Sequence, residues 1–290
     1  MGQHFADRLA DNVKKKKTAL CVGLDPRWPL LPVLIRKHFD TSLAGMAAAH
    51  ERFCLRVLEL VTPYCGVVKV QSAFFEACGP AGFVAQRNIL SRAREIGLTT
   101  ILDAKRGDIA STAEAYSDAA FGDVWNVDAL TVNPYLGRDA VEPFVAGARR
   151  DQRGIFVLVR TSNPGAGLFQ ELDFGGRRLF EIVGVEVGRW SRDNLGECGY
   201  GDIGAVVGAT HPTELKSLRQ QLPHVWFLVP GYGAQGGSMA DVRAAMRGDG
   251  LGAIVNSSRG ITFPFQPDET DWESKVIAAA AQASNELRIT

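Results

Sequence analysis

The stretch ILDAKRGDIAST, Ile101–Thr112, decides how the rest of the chain is read. It opens as the end of a buried strand, Ile101-Leu102-Asp103, and then sets Lys105 and Asp108 almost at once beside that acid. Charged side chains are rarely fully buried unless they are paired, so this crowding makes a poor core. It suits a strand whose far end opens onto a polar pocket.

Working outward, similar apolar runs recur along the chain: TALCVGLD (18–25), GVVKVQSAFF (66–75), TTILDAK (99–105) and ALTVNPY (129–135). They continue as GIFVLVRTSN (154–163), IGAVVGAT (203–210), VWFLVPG (225–231) and GAIVNSS (252–258). Near-continuous hydrophobic runs of this length fit parallel strands covered on both faces. Helical patterns lie between them. In MAAAHERFCLRVLELV (46–61), Phe53, Val57 and Leu60 recur at helical spacing, and the pattern over 81–97 ends on a terminating glycine, Gly97. DVRAAMR (241–247) and KVIAAAAQA (275–283) fill the last two helical slots. Eight β-then-α units predict a (β/α)8 barrel of parallel strands, with a doubly wound open sheet as the other arrangement. Phe5, Leu9 and Val13, spaced by four, predict an opening helix that caps one end.

The chain reads as one domain over residues 1–290, with the longest non-strand interval after the fifth strand. Its glycines and aromatics, at about 163–180, predict a lid loop. Barrel chemistry sits at the C-terminal ends of the strands. Those ends carry Asp25, Lys69, Asp103, Lys105, Asn133, Ser162, His211, Gln235 and Arg259, whereas the strand starts read as bland.

A formal net charge of zero gives no support for nucleic acid or an anionic membrane surface as partner. The one basic run, Lys14 to Lys17, reads as a solvated helix end. No signal peptide is visible and no apolar stretch approaches membrane-spanning length. Five scattered cysteines without a C-x-x-C pair suggest free thiols in a reducing cytoplasm. The five histidines show no metal-ligand spacing, and His211, in GATHPTEL, reads as a helix start.

On an extended strand Asp103 and Lys105 share a face, about 6.6 Å apart along it. Lys69 sits toward the end of the preceding strand, about 4.8 Å away in the sheet, so its ammonium reaches the same pocket. Asp108 follows in the loop. Two cations and two anions cancel formally, which limits the cost of desolvating them together. A purely structural ion-pair network is the competing reading.

LDAKRGDIAST resembles the D-x-K-x-x-D-I-x-x-T signature of orotidine 5′-phosphate decarboxylases, and the likeness extends over nearly the whole chain, to the longer bacterial subgroup. LCVGLDP resembles the first-strand motif whose aspartate, here Asp25, binds the ribose hydroxyls. VVKVQSAFFE resembles the second-strand motif and supplies Lys69. RTSNPGA resembles the segment whose serine, here Ser162, hydrogen-bonds the pyrimidine. VPGYGAQGG matches the loop whose glutamine, here Gln235, bridges base and phosphate. VNSSRGI fills the place of the eighth-strand motif, with Arg259 on the phosphate and Ser258 where many members have glycine.

The resemblance implies that orotidine 5′-monophosphate loses CO2 from C6 and gains a proton there, in pyrimidine biosynthesis, with no metal and no organic cofactor. It assigns the proton donor to Lys105, sets Asp103 near the substrate carboxylate, and has Lys69 and Asp108 hold Lys105 charged and aimed. It also implies a homodimer in which Asp108 and Thr112 reach the neighbouring subunit's site.

GYGAQG (231–236) fits G-x-G-x-x-G, but no strand-ending acid appears about 20 residues on, so a phosphate-gripping loop explains the glycines better than a dinucleotide site. Magnesium-dependent sugar-phosphate decarboxylases and aldolases of the same suprafamily carry a glutamate on the second strand where this chain has Lys69. A Schiff-base aldolase using Lys69 or Lys105, and a non-catalytic barrel that binds a phosphorylated ligand, are the further alternatives.

Overall fold

β-Branched and apolar side chains fit a pleated surface that is covered on both faces, and here they build one closed ring. The computed structural model describes residues 2–231 and 242–289. The strands are β1 (Leu20–Leu24), β2 (Val67–Gln71), β3 (Thr99–Arg106), β4 (Ala129–Val132), β5 (Gly154–Arg160), β6 (Ile203–Val207), β7 (Phe227–Val229) and β8 (Ala253–Ser257). They pair in chain order as a closed barrel, each pair parallel, with β8 returning to β1. The open-sheet alternative is thereby removed. Apart from β3, which runs one residue further, each strand lies inside its expected run.

The ring is surrounded by α1 (Phe5–Lys16), α2 (Leu43–Val61), α3 (Gly79–Glu95), α4 (Ala110–Phe121), α5 (Arg138–Arg150), α6 (Leu179–Arg192), α7 (Pro212–Gln221) and α8 (Trp272–Glu286). Phe53, Val57 and Leu60 of α2 are buried, and Gly97 follows α3 in a left-handed conformation (φ 83°) that glycine adopts without steric cost. The expected helix over 241–247 begins outside the described residues. Only Val242 and Arg243 remain of it, and the chain leaves the helix by Ala244.

α1 closes the N-terminal end of the barrel. Phe5, Leu9 and Val13 are buried, and Phe5 meets Phe156 edge-on at 6.3 Å. Gly154 makes room for that ring, since a Cβ there would stand 2.3 Å from it. Lys14, Lys15 and Lys16 lie in the last turn of α1, where cations oppose the negative end of the helix dipole, as the basic run suggested.

The strand starts are not bland. Asp128, just before β4, accepts Arg153 Nη1 at 2.7 Å and Arg8 Nη2 at 3.3 Å on one oxygen. Its other oxygen accepts the Thr100 amide and hydroxyl, both at 3.0 Å. Asp202, just before β6 and 1% exposed, accepts Arg149 Nε at 3.0 Å and Asn194 Nδ2 at 2.6 Å. The sequence pattern hides these pairs because the arginines come from α1 (Arg8), the end of α5 (Arg149) and the residue just before β5 (Arg153), at least 25 positions from the acids in the chain.

After β5 the chain forms a turn at Pro164–Ala166 and a short helix at Gly167–Gln170. An isolated bridge between Asp173 and Arg178 then spans Gly175 and Gly176, both at positive φ, before α6 begins. Among the described residues, no helix is long and apolar enough to cross a membrane.

Candidate active site

Partner residues on adjacent parallel strands share a face, and alternate residues along one strand return to it. Gly23 pairs with Lys69 and Gln71 with Asp103. Leu158 pairs with Val206, Val206 with Leu228, and Asn256 with Cys21. One inward-facing tier at the C-terminal end therefore carries Asp25, Lys69, Gln71 and Asp103 on one side and Leu158, Val206 and Leu228 on the other.

Two cavities open on this tier and share Lys69, Asp103 and Pro230 as their common wall. The first, about 450 Å³, is polar and is lined by Asp25, Arg27, Gln71, Asn256, Ser258 and Arg259. The second, about 430 Å³, is lined by apolar Leu158, Val206 and Leu228, and also by Lys105, Thr131 and Ser162.

Asp103 is the hub. Its Oδ2 accepts Lys69 Nζ at 2.8 Å and Gln71 Nε2 at 3.0 Å, and its Oδ1 accepts Lys105 Nζ at 2.7 Å and the Thr131 hydroxyl at 3.0 Å. Burial alone would raise the Asp103 pKa. The ammonium groups of Lys69 and Lys105 outweigh it and hold the carboxyl well below the usual carboxylate range. Lys69 is buried too, which would lower its pKa, but Asp103 and then Asp25 push it above the ordinary lysine value. Asp25 Oδ1 stands 3.9 Å from Lys69 Nζ and, although buried, has no hydrogen-bond partner. The wall between the cavities thus holds a charged Lys69–Asp103 pair, joined by Lys105 from the apolar side, and a buried acceptor waits on its polar side.

Lys105 does not sit on regular strand, as the sharing of a face with Asp103 had assumed. The β3–β4 ladder shifts register between Leu102 and Arg106, and Lys105 has φ 47°. Its amide is satisfied by the Thr131 hydroxyl at 2.9 Å instead of a backbone carbonyl. The irregularity brings the ammonium back onto Asp103 and leaves the Lys105 side chain 47% exposed, while that of Lys69 is 6% exposed.

Ser258 lies over β1, where a Cβ on Gly23 would come within 1.9 Å of its hydroxyl. Glycine at 23 therefore admits serine at 258. Arg259 starts a short helix, Arg259–Thr262, and lines the polar cavity. Ser162 lines the apolar one, and Gly208 lets it approach, since a Cβ there would stand 2.9 Å from the Ser162 Cβ.

Asp108 and Thr112 are not brought into either cavity. Asp108 Oδ1 accepts the neighbouring Ile109 amide at 2.8 Å, and Thr112 is exposed on α4. Asp108 thus does not join the cluster within one chain, contrary to the four-charge set expected from spacing. Gln235 lies outside the described residues, as does all of GYGAQG beyond Gly231. His211 precedes α7, as its surroundings suggested. Among the described residues, no group of three or more His, Cys, Asp and Glu side chains is arranged to hold a metal ion.

Sequence reasoning missed Gln71, Thr131, Asn256 and Arg27. Period-two alternation from Lys69 would have found Gln71, and the same count back from Asn133 would have found Thr131. Nothing local marks Arg27, whose guanidinium lies over the Phe74 ring at 5.4 Å.

Residues 18–270 match the profile of the orotidine 5′-phosphate decarboxylase / HUMPS family. The chain is similar to the orotidine 5′-phosphate decarboxylase of Rhodopirellula baltica, at 45% identity over 98% of this chain and 99% of that one. It is also similar to that of Caldicellulosiruptor bescii, at 37% over 91% and 90%. The solved OMP decarboxylase of Leishmania donovani superposes with a TM-score of 0.79 at 35% identity, covering 98% of this chain and 97% of that one. A closed parallel barrel with its charged tier at the strand C-termini, matched over nearly its whole length by these relatives, belongs to the orotidine 5′-phosphate decarboxylase / HUMPS family.

Proposed function

We propose that the protein decarboxylates orotidine 5′-monophosphate to uridine 5′-monophosphate and CO2, a step of pyrimidine biosynthesis, with the pyrimidine in the apolar cavity and the ribose phosphate in the polar one. The observation that carries this reading is Asp103 gripped by both Lys69 and Lys105 on the wall the two cavities share. A nucleotide spanning both would set its reacting ring carbon against that wall.

Loss of CO2 leaves an electron pair at C6 in an orbital that the ring π system cannot delocalise well. A fixed ammonium beside that carbon stabilises the developing charge and then supplies a proton to it. Lys105 suits this role because it reaches Asp103 from the exposed rim, whereas Lys69 is enclosed between Asp103 and Asp25. Asp103 faces the departing carboxylate, and Thr131 and Gln71 hold it in place. The unpartnered Asp25 oxygen suits a ribose hydroxyl, and Arg259 with Ser258 suits the phosphate. Gripping the phosphate lets binding energy remote from the reacting carbon orient the ring.

The segment at about 163–180 acts in this reading as a lid on the apolar cavity, within a single domain that works in the cytoplasm. Two copies pair so that Asp108 and Thr112, turned away from their own cavities, reach the neighbour's site. A chain that sediments as a monomer at working concentrations is incompatible with that pairing.

The test is the fall in orotidine 5′-monophosphate absorbance in buffer containing a chelator. Undiminished turnover is expected. Activity that vanishes with the chelator and returns with magnesium points to the sugar-phosphate branch of the suprafamily, and no turnover in any buffer overturns the reading.

A further inference from the structure

Arg160, the last residue of β5, is a fully buried cation that the chemistry above does not use. Alternation from Phe156 and Leu158 would aim it into the barrel, but the β5–β6 ladder shifts register there, pairing Leu158 with Val206 and Arg160 with Val207. Val206 faces the apolar cavity, so Val207, and Arg160 beside it, face the other way. Outside the barrel its guanidinium donates from Nε to Glu214 at 2.6 Å, from Nη2 to Glu171, and from Nη1 to Gln170 Oε1 at 3.4 Å. Arg178 completes the set by donating to the second oxygen of Glu214 at 2.7 Å. Arg160 and Arg178 with Glu171 and Glu214, and Glu181 of α6 3.8 Å from Arg178, thereby tie the β5 end, the segment after it, α6 and α7 into one ion-pair cluster.

The output of that cluster is the direction of one amide. Gln170 Oε1, beside the Arg160 guanidinium, also accepts the Thr161 amide at 3.0 Å, and its Nε2 donates to the Thr161 hydroxyl at 2.8 Å. That hydroxyl in turn donates to Asn163 Oδ1 at 2.7 Å. With a cation on its oxygen side, the Gln170 amide has one orientation, and it clasps the backbone and side chain of the residue immediately before Ser162. Thr161, Ser162, Asn163 and Gln170 all line the apolar cavity.

We propose that Gln170, oriented by buried Arg160, is a positioning residue that fixes the Thr161–Ser162 edge against the pyrimidine. The proposal rests on the reading that the apolar cavity holds the base. Gln170 acts on the base end of the nucleotide alone, because the polar cavity shares no residue with this clasp.

The experiment compares affinity for uridine 5′-monophosphate, which has a base, with affinity for ribose 5-phosphate, which has none, both measured as competitive inhibition constants. Gln170→Ala should weaken the nucleotide about tenfold, the equivalent of one hydrogen-bond network, and leave the sugar phosphate within about twofold. Should that variant fail to fold, Thr161→Val removes the hydroxyl link without disturbing a charge and should show the same base-selective loss. Equal weakening of both ligands, or of neither, overturns the positioning role. A wild-type enzyme that leaves orotidine 5′-monophosphate intact overturns the functional reading and this role with it. An active wild type whose Gln170→Ala form keeps its nucleotide affinity overturns this role alone.

Discussion

The two ends of the barrel solve the same electrostatic problem in opposite ways. At the strand starts, Asp128 is met by two arginines and by the Thr100 amide and hydroxyl, and it lines neither cavity. At the strand ends, Asp103 is met by two lysines and two neutral side chains, and both cavities open onto it. A guanidinium has a fixed fork and does not give up its proton, so the lower site is a clamp. An ammonium is a compact charge on a flexible stem that can deliver a proton, so the upper site can react. Burying an acid is therefore common to both ends. The choice of cation, and the cavity in front of it, separate chemistry from support.

The sharpest way to break that comparison is Lys105→Ala. If Lys105 is the proton donor, as proposed, its loss should lower kcat by about 10²–10⁴-fold, with uridine 5′-monophosphate still bound. Near-normal turnover would put the donor elsewhere. Next comes an exchange between the ends. Asp128→Ala, which takes the carboxylate from Arg153 and Arg8 and the acceptor from the Thr100 amide, should lower unfolding stability by about 3 kcal/mol while the folded protein keeps its kcat. Asp103→Ala should abolish most turnover. Denaturant melts and single-turnover assays on the pair would erase the distinction if both variants lost the same property.

Arg259→Ala tests the polar cavity and should raise KM for orotidine 5′-monophosphate about 10–100-fold, with little effect on a substrate lacking phosphate. Equal damage to both substrates would make Arg259 structural.

The smallest effect concerns a buried base away from both ends. His50 on α2 is 5% exposed, and burial pushes its pKa down to about 4, against 6.5 in the unfolded chain. Between those values the folded state binds fewer protons than the unfolded one. Its contribution is thus intact above pH 6.5 and is lost as pH falls toward 4, by at most about 1.4 kcal/mol per unit. His50→Leu should flatten this part of the pH–stability curve, and an unchanged slope between pH 6.5 and 4.5 would assign the acid sensitivity to other groups.

Much of this was legible in the sequence. Eight apolar runs placed the strands, and the charges after Asp103 marked the end onto which both cavities open, because period-two geometry and the parallel-barrel rule act locally. What was hidden is what depends on pairing across the chain. The Asp128 and Asp202 clamps join residues that only the closed ring brings together. The direction of Arg160 reverses at a register shift that no alternation pattern announces. Ser258 is accommodated by Gly23 on the neighbouring strand, a compensation that reading either motif alone does not reveal. Asp108 has the right spacing for the cluster, but its loop turns it toward the Ile109 amide.

The backbone of Lys105 carries a last consequence. A side chain at φ 47° occupies a conformation that costs an ordinary L-residue about 1 kcal/mol or more, and glycine almost nothing. In an extended strand alanine outlasts glycine on heating. At position 105 that ranking should invert, with the glycine form melting above the alanine form although both lack the ammonium. Backbone and charge thus favour different amino acids at this one position: glycine would take the turn without steric cost, and lysine carries the ammonium that pairs with Asp103.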